Sequence, residues 1–445
     1  MARNARIISK DRLLVQTASY NTNLQGDSGV PQDLIDWLSP TLRVSSFLAK
    51  EPRAPDVVAV GFQELLPLHL SFSGLSKNVV ENRNALILSQ IEANAPNKEK
   101  YSLVTKVVNV GVALLVYILD EQFSRVADVQ TSWTGCGPAY LGNKGAVGVR
   151  FRLAGEDGGL GETLTFVCAH LTAHERELSQ RIADYNRIVG SLMFPPLPTS
   201  PSSFRKSSTA STTIYDTSHL FFFGDLNFRL DLPETHPLHG PDNRDSLVSA
   251  LDSESKREEL KEYDQLTAER KKGTVFVGLR EGDFWKFKCT YKYEIGEVDK
   301  YSSLRTPSWT DRVLYTTYSD DPETPEKSNI TNLLYTSVPG YTTSDHKPVV
   351  SLLLLPRLSS TPATSEEGEA EIPVLRLPAD FKPVLIPYAS LRSVIGRILD
   401  RILGYVLSIL TLLGAGSTMI GVGNFVLGMG VLTFWRKSAG TTSDV

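Results

Sequence analysis

The chain has 445 residues with 46 basic and 50 acidic side chains, a formal net charge of −4. That length calls for one large domain with additions, or for two domains, and the lack of a basic excess argues against a duplex nucleic-acid binder. Three widely spaced cysteines, Cys136, Cys168 and Cys289, without a CxxC pair indicate neither a disulfide framework nor a zinc site, and point to a reducing compartment.

The N-terminus, Met1 to Lys10, is basic but has no apolar run, so it does not read as a signal peptide. Arg12 to Asn21 is a strand candidate ending in polar residues, and Asp56 to Glu64 repeats the pattern with an apolar run, a glycine and then Gln63-Glu64. The pattern recurs at Leu164 to His170 and at Leu220 to Asn227, and Val349 to Leu355 follows Ser344-Asp345-His346. Helical patterns intervene at 33–50, 78–93, 175–193 and 257–271. Short buried strands with polar residues gathered at one end, alternating with helices, predict an α/β fold. It would be a four-layer sandwich of two packed mixed β-sheets flanked by helices, with its chemistry along one edge.

Residues 195–218 are dense in Ser, Thr and Pro and read as an insertion within a catalytic domain spanning 1–356. Residues 357–390 read as a flexible, solvated linker. Within 391–445, the 34 residues from Ile402 to Trp435 carry no charge. A membrane span needs roughly 20 apolar residues, so this stretch is expected to be a C-terminal transmembrane segment, as one tilted helix or a re-entrant hairpin. Gly414, Gly421 and Gly428 recur every seven residues, as do Gly416, Gly423 and Gly430, which suits close helix packing in lipid. The expected arrangement is a tail anchor with the large domain facing the cytosol, in the endoplasmic reticulum or another endomembrane.

The polar clusters together describe a metal-assisted phosphate hydrolase. Asp225, Asn227 and Arg229 are spaced two apart past Gly224, so in an extended or tightly turning segment they converge on one point. Glu64 and Asn21 offer the hard oxygen donors that suit Mg²⁺. Asp225 is placed to orient and deprotonate an attacking water, and Asn227 and His170 can bond the developing phosphorane oxygens. His346, beside Asp345, can add a cationic hydrogen bond if a carboxylate, for which Asp311 is the candidate, keeps it protonated. Mg²⁺ would bridge the scissile phosphate and stabilise the leaving alkoxide.

The ordered set Gly61-Phe62-Gln63-Glu64, Asn143-Lys144-Gly145, His170 to His174, Gly224 to Arg229, Trp309 to Arg312 and Ser344-Asp345-His346 resembles the inositol polyphosphate 5-phosphatases. That family lies within the endonuclease/exonuclease/phosphatase superfamily, whose fold is DNase I-like, and the likeness covers roughly residues 12 to 355. The resemblance implies that Glu64 and Asn21 bind Mg²⁺ and that Asp225 activates water. It also implies that Asn227 and His170 steady the 5-phosphate and that Asp311 pairs with His346. Asn143, Lys144, His174, Arg229, Tyr291, Lys292, Arg305 and Arg312 are then expected to line a phosphate-rich cleft, with Lys292 on the 4-phosphate and a structural role as the alternative for Arg312.

One departure stands out. Family members usually carry a lysine-rich stretch before the segment matching Arg305 to Trp309, whereas here Arg305 is the only basic residue between Tyr301 and Pro307. The implied function is Mg²⁺-dependent removal of the 5-phosphate from phosphoinositides such as phosphatidylinositol 4,5-bisphosphate at a membrane. The expected partners are the lipid substrate and the membrane, with no nucleic acid and no obligate protein partner. The alternatives are a nuclease or sphingomyelinase-like phosphodiesterase, and a non-catalytic phosphoinositide-binding tether.

Overall fold

The phenylalanines of the strand His219–Asp225 divide between two cores. Phe221 and Phe223 enter the cluster between two sheets, and Phe222 points the other way into the cluster beneath the helices. Side chains alternate across a strand, so a run of three apolar residues needs both faces covered. Each such burial contributes about 1.5–3 kcal/mol.

The computed structural model describes residues 12–29, 34–38, 53–155, 159–197, 211–357, 363–364 and 370–414. Two six-stranded sheets pack face to face. The first combines β1 (Leu14–Asn21), β2 (Val57–Gln63), β3 (Tyr101–Asn109), β4 (Val112–Leu119), β11 (Thr331–Ser337) and β12 (Val349–Leu354), in the order β11-β12-β1-β2-β4-β3. The second combines β5 (Val126–Gly135), β6 (Gly145–Leu153), β7 (Glu162–His170), β8 (His219–Asp225), β9 (Arg280–Glu281) and β10 (Asp311–Thr317), in the order β5-β6-β7-β8-β10-β9. Both sheets are mixed, with parallel pairs at β1/β2 and β7/β8. Helices cover the outer faces, so the expected α/β sandwich is the fold.

Register gathers the polar ends. Asn21 pairs with Gln63, His170 with Asp225, Asp225 with Asp311, and Gly145 with His170. Gly224 has φ +142°, and a Cβ there would fall 2.0 Å from Ala169 O, so only glycine lets β8 lie this close to β7.

The helices include α1 (Ile35–Leu38), α2 (Leu68–Ser73), α3 (Ser76–Asn94), α4 (Leu178–Ser191), α5 (Gln265–Lys271) and α6 (Ala389–Leu412); further helices span Asp120–Phe123, Arg244–Asp252 and Glu254–Leu260. The helix expected over 33–50 is described only as α1, and the rest of that span lies outside the described residues. The helix expected over 257–271 is broken. Asp264 leaves the helical conformation and caps α5 by accepting from Thr267 N at 2.9 Å.

One expectation about the C-terminal third needs correction, and a second falls mostly outside the described residues. The predicted flexible linker is fixed to the domain from residue 373. Leu375 is buried and its N–H donates to Thr217 O at 2.9 Å, Ser218 Oγ donates to Pro373 O at 2.6 Å, and Ile386 N donates to Gly190 O at 2.9 Å. Leu375, Leu377 and Phe381 join the apolar cluster of the second sheet, which composition alone does not reveal. The helix entering the apolar stretch, α6, lies against the domain and carries Arg392, Arg397, Asp400 and Arg401. No helix among the described residues is long and apolar enough to cross a membrane, and residues 415–435 of the expected span lie outside them. The insertion at 195–218 is tied down at its ends by a bridge between Phe194 and Thr212, and residues 198–210 are likewise outside the described residues.

Candidate active site

Asp225 is the hub, and it is buried. Its Oδ2 accepts from Asn21 Nδ2 at 2.9 Å and lies 3.3 Å from His170 Nε2 and 3.9 Å from His346 Nε2. Its Oδ1 accepts from the Asn227 backbone N–H at 3.1 Å. Burial works against its charge, but His346, His170 and Lys144 more than offset that and hold the carboxyl well below the usual range. Asp225 is therefore a carboxylate at every physiological pH.

His346 is the second buried group. Its Nδ1 lies 3.0 Å from Asp311 Oδ2, and its backbone N–H donates to Ser344 Oγ at 3.1 Å. Burial disfavours the imidazolium, yet the Asp311 and Asp225 carboxylates raise its pKa to about 10. His346 is thus a fixed cation within 4 Å of the hub, as the sequence predicted for a carboxylate-held histidine.

A metal could be imagined among Asp225, Asp311 and His346, whose ligand atoms lie within 4.8 Å of one another. Asp311 Oδ2, however, already accepts from Thr290 Oγ1 at 2.7 Å and Thr310 Oγ1 at 2.9 Å besides facing His346. An oxygen with three donors is committed to orienting the histidine. Glu64 suits a hard cation better. It follows β2 with φ +51°, its side chain is 30 % exposed, and its Oε1 lies 3.6 Å from His170 Nε2 and 3.9 Å from Lys144 Nζ. Asn21 is turned away from Glu64's role, with its NH₂ on Asp225 and its Oδ1 accepting from Asn23 N at 3.0 Å.

Lys144 contacts His170 as well as Glu64, and burial pushes its ammonium down. Asn143 stands beside it, with a buried Oδ1 that has no hydrogen-bond partner among the described residues. Asn227 spends Nδ2 on Leu171 O at 3.1 Å and its Oδ1 on Arg229. It braces the hub and Arg229 together.

Beyond His346 the site opens into a cleft. Tyr291 stacks on His346 at 4.6 Å between ring centroids, and the Arg229 guanidinium lies 4.3 Å above Tyr291. Two adjoining cavities of about 350 and about 550 Å³ share Glu175, Arg229, Leu304 and Arg305. His174, Tyr291 and Lys292 line the smaller one and Arg176 the larger. Lys292 Nζ bonds Asp345 Oδ2 at 2.6 Å, which makes Asp345 the partner of a cleft lysine.

Arg312 does not join this cleft. It is fully buried, donates through Nε and Nη2 to the two oxygens of Glu281 at 2.6 and 2.7 Å, and through Nη1 to Asp264 at 3.0 Å. Two carboxylates at that distance convert the expected substrate contact into a structural one. Conversely, Arg176 lines the larger cavity, although the sequence pattern places it only in a helix, two residues past His174. Arg181 was also missed. It is buried and donates to His174 O at 2.6 Å and Gln265 Oε1 at 2.7 Å, fixing the turn that presents His174.

The family model for "Endonuclease/Exonuclease/phosphatase family 2" matches residues 18–352, well over half of the chain. The chain belongs to this family. Among curated relatives, rat synaptojanin-1 is 30% identical over 349 residues, covering 72% of this chain and 20% of the relative. Mouse type II inositol 1,4,5-trisphosphate 5-phosphatase is 31% identical over 318 residues, covering 71% of this chain and 28% of the relative. The chain thus matches less than a third of either protein's length.

Among solved structures, the inositol polyphosphate 5-phosphatase domain of SPSynaptojanin, in complex with inositol (1,4)-bisphosphate and calcium, aligns with TM-score 0.58 and 26% identity. The alignment covers 77% of this chain and 84% of that one. A Cimex nitrophorin aligns with TM-score 0.53 and 20% identity over 78% of this chain and 99% of that one. A ferrous nitric-oxide complex on the same fold shows that architecture does not decide activity, so the side chains must.

Proposed function

We propose that the chain is a Mg²⁺-dependent phosphomonoesterase that removes the 5-phosphate from phosphoinositides at a membrane surface. The observation that carries this reading is the continuity between the Asp225–His346–Asp311 cluster and a cleft lined by Arg229, Lys292, Arg305 and His174. A cationic cleft next to an ionised carboxylate suits a ligand bearing several phosphates, one of which reaches the hub.

Within this reading Asp225 orients the attacking water and accepts its proton. His346, kept charged by Asp311, donates to a phosphoryl oxygen as negative charge develops there. Lys144 and His170 add positive charge and a further donor on the Glu64 side. Glu64 would hold Mg²⁺, which when bound supplies charge neutralisation at the scissile phosphate. The names of the relatives, and the inositol bisphosphate and calcium bound by the structural neighbour, support the same ligand chemistry.

The test is phosphate release by the full chain in Mg²⁺ and then in EDTA. Substrates would be vesicles containing phosphatidylinositol 4,5-bisphosphate, 3,5-bisphosphate or 3,4,5-trisphosphate, beside soluble inositol 1,4,5-trisphosphate. Mg²⁺-dependent release that Asp225→Ala abolishes is expected. A folded chain that releases no phosphate from any of them would sink the reading.

A further inference from the structure

Helix α6 wears its apolar residues on the wrong side for an ordinary surface helix. The residues it buries are Ala389, Ser393, Gly396, Asp400 and Gly404, spaced four, three, four and four apart along one face. The opposite face exposes Leu391, Ile398, Ile402, Tyr405, Ile409 and Leu412, each more than half accessible. A soluble helix normally turns its apolar stripe to the core, and a contiguous exposed patch of this kind marks an interaction surface.

The small-residue face is a fitted joint. A Cβ on Gly396 would lie 2.2 Å from Tyr140 O, and one on Gly404 2.3 Å from Ser73 N, so the helix backbone approaches as closely as glycine permits. Asp400 Oδ1 accepts from Gly142 N at 3.0 Å. Arg397 stacks over Trp133 at 3.6 Å and donates to Val108 O at 3.2 Å, and Arg401 donates to Phe72 O at 2.6 Å. Three of these four contacts, at Gly142, Val108 and Phe72, fall in or next to segments that border the active site. Gly142 immediately precedes Asn143-Lys144, the 108–111 turn supports Glu64 through Leu65 N to Gly111 O at 3.3 Å, and Phe72 lies in α2 just beyond Glu64.

Two features identify what covers the outer face. From Ile402 the sequence runs to Trp435 without a charge, so the exposed face leads directly into a stretch with the composition of a lipid-embedded segment. Cations accompany it. Arg392 and Lys77 are exposed beside α6, and Arg397 and Arg401, although they donate into the domain, leave the helix with an excess of positive charge against the single carboxylate of Asp400. That balance complements an anionic leaflet.

We propose that α6 is an interfacial helix whose Ile/Leu face lies in an anionic bilayer while its small-residue face is locked to the catalytic domain, so that the membrane fixes the cleft's orientation and braces the turn carrying Asn143 and Lys144. This rests on the membrane-substrate reading above and replaces a loose tether with a rigid mount.

The experiment uses the full chain carrying Ile398→Cys, labelled with an environment-sensitive fluorophore. The native Cys136, Cys168 and Cys289 are buried and do not compete for the label. The probe is mixed with phosphatidylcholine vesicles, with and without phosphatidylserine, that contain a quencher on the acyl chains. Quenching that strengthens with phosphatidylserine is expected. The variant Ile402→Asp/Ile409→Asp should lose about tenfold or more in phosphate release from vesicles while keeping its rate on soluble inositol 1,4,5-trisphosphate.

Vesicle binding without quenching at position 398 would mean that residues beyond α6 do the anchoring, and would overturn the proposal. So would a double variant that changes only self-association. Quenching in a chain that hydrolyses neither substrate would support the proposal and refute the phosphatase reading instead.

Discussion

His346 Nδ1 stands 3.0 Å from Asp311 Oδ2, with both groups buried. The pair explains how a histidine 3.9 Å from the Asp225 carboxylate keeps its charge at neutral pH. The folded-state pKa, raised to about 10 from 6.5, means that the pair's stabilisation is complete below pH 6.5 and is lost as the pH rises through 10.

Replacing Asp311 by Asn should remove that hold. The alkaline limb of the rate profile is expected to move from near 10 toward the ordinary histidine range, with kcat down about 10²–10³-fold at neutral pH. A pH–rate profile on a soluble substrate checks it. A limb that stays near 10 would show that Asp311 does not set the charge of His346.

Arg312→Ala should be a stability variant. It leaves Asp264 buried without a cation and Glu281 with only Arg270, at 3.6 Å, to balance it, and breaking a buried pair of this kind costs about 3–5 kcal/mol. Denaturant unfolding should show a lowered midpoint, and the fraction that remains folded should keep its KM. A raised KM with an unchanged midpoint would put Arg312 back in the cleft.

Lys292 is more exposed than Arg312 and reaches the cleft through its bond to Asp345. Lys292→Ala should raise KM about 10- to 150-fold for ligands carrying a phosphate next to the scissile one, the range of a charge-assisted hydrogen bond. Ligands without that phosphate should be affected far less. Comparing phosphatidylinositol 4,5- and 3,5-bisphosphate in one assay separates the two outcomes.

Glu64→Gln should raise the Mg²⁺ concentration needed for half-maximal rate, because a neutral amide holds a hard dication less well than a carboxylate. Saturating Mg²⁺ should restore part of kcat. A Mg²⁺ titration superimposable on that of the unaltered chain would place the metal elsewhere.

Much of this site was legible because polar residues that end apolar strands advertise themselves. Asp225 and His170 terminate β8 and β7, and register alone makes them neighbours. A structural role for Arg312 was open from the sequence, but its partners were not legible: Glu281 and Asp264 are 31 and 48 residues away, and no local pattern announces a bidentate pair across that separation. Strands β3, β4, β5, β6, β10 and β11 were not among those expected; mostly half-exposed residues without clean alternation account for β5 and β11, but not for β4 and β10, which are buried throughout. Helix α6 was legible only as an apolar stretch. Which side faces the domain depends on Ser393, Gly396, Asp400 and Gly404, which look unremarkable until Tyr140 and Gly142 are placed against them.

The bonds that close the hub are long-range in sequence. Asn21 reaches Asp225 across 204 residues, and Ser344 Oγ donates to Asn21 O across 323. A nascent chain therefore has no working centre until its first strand has waited for nearly the last one to leave the ribosome. Proteolytic fragments that lack either end of the sandwich should be inert, because no piece that omits Asn21 or the Ser344 to His346 segment can close the hub.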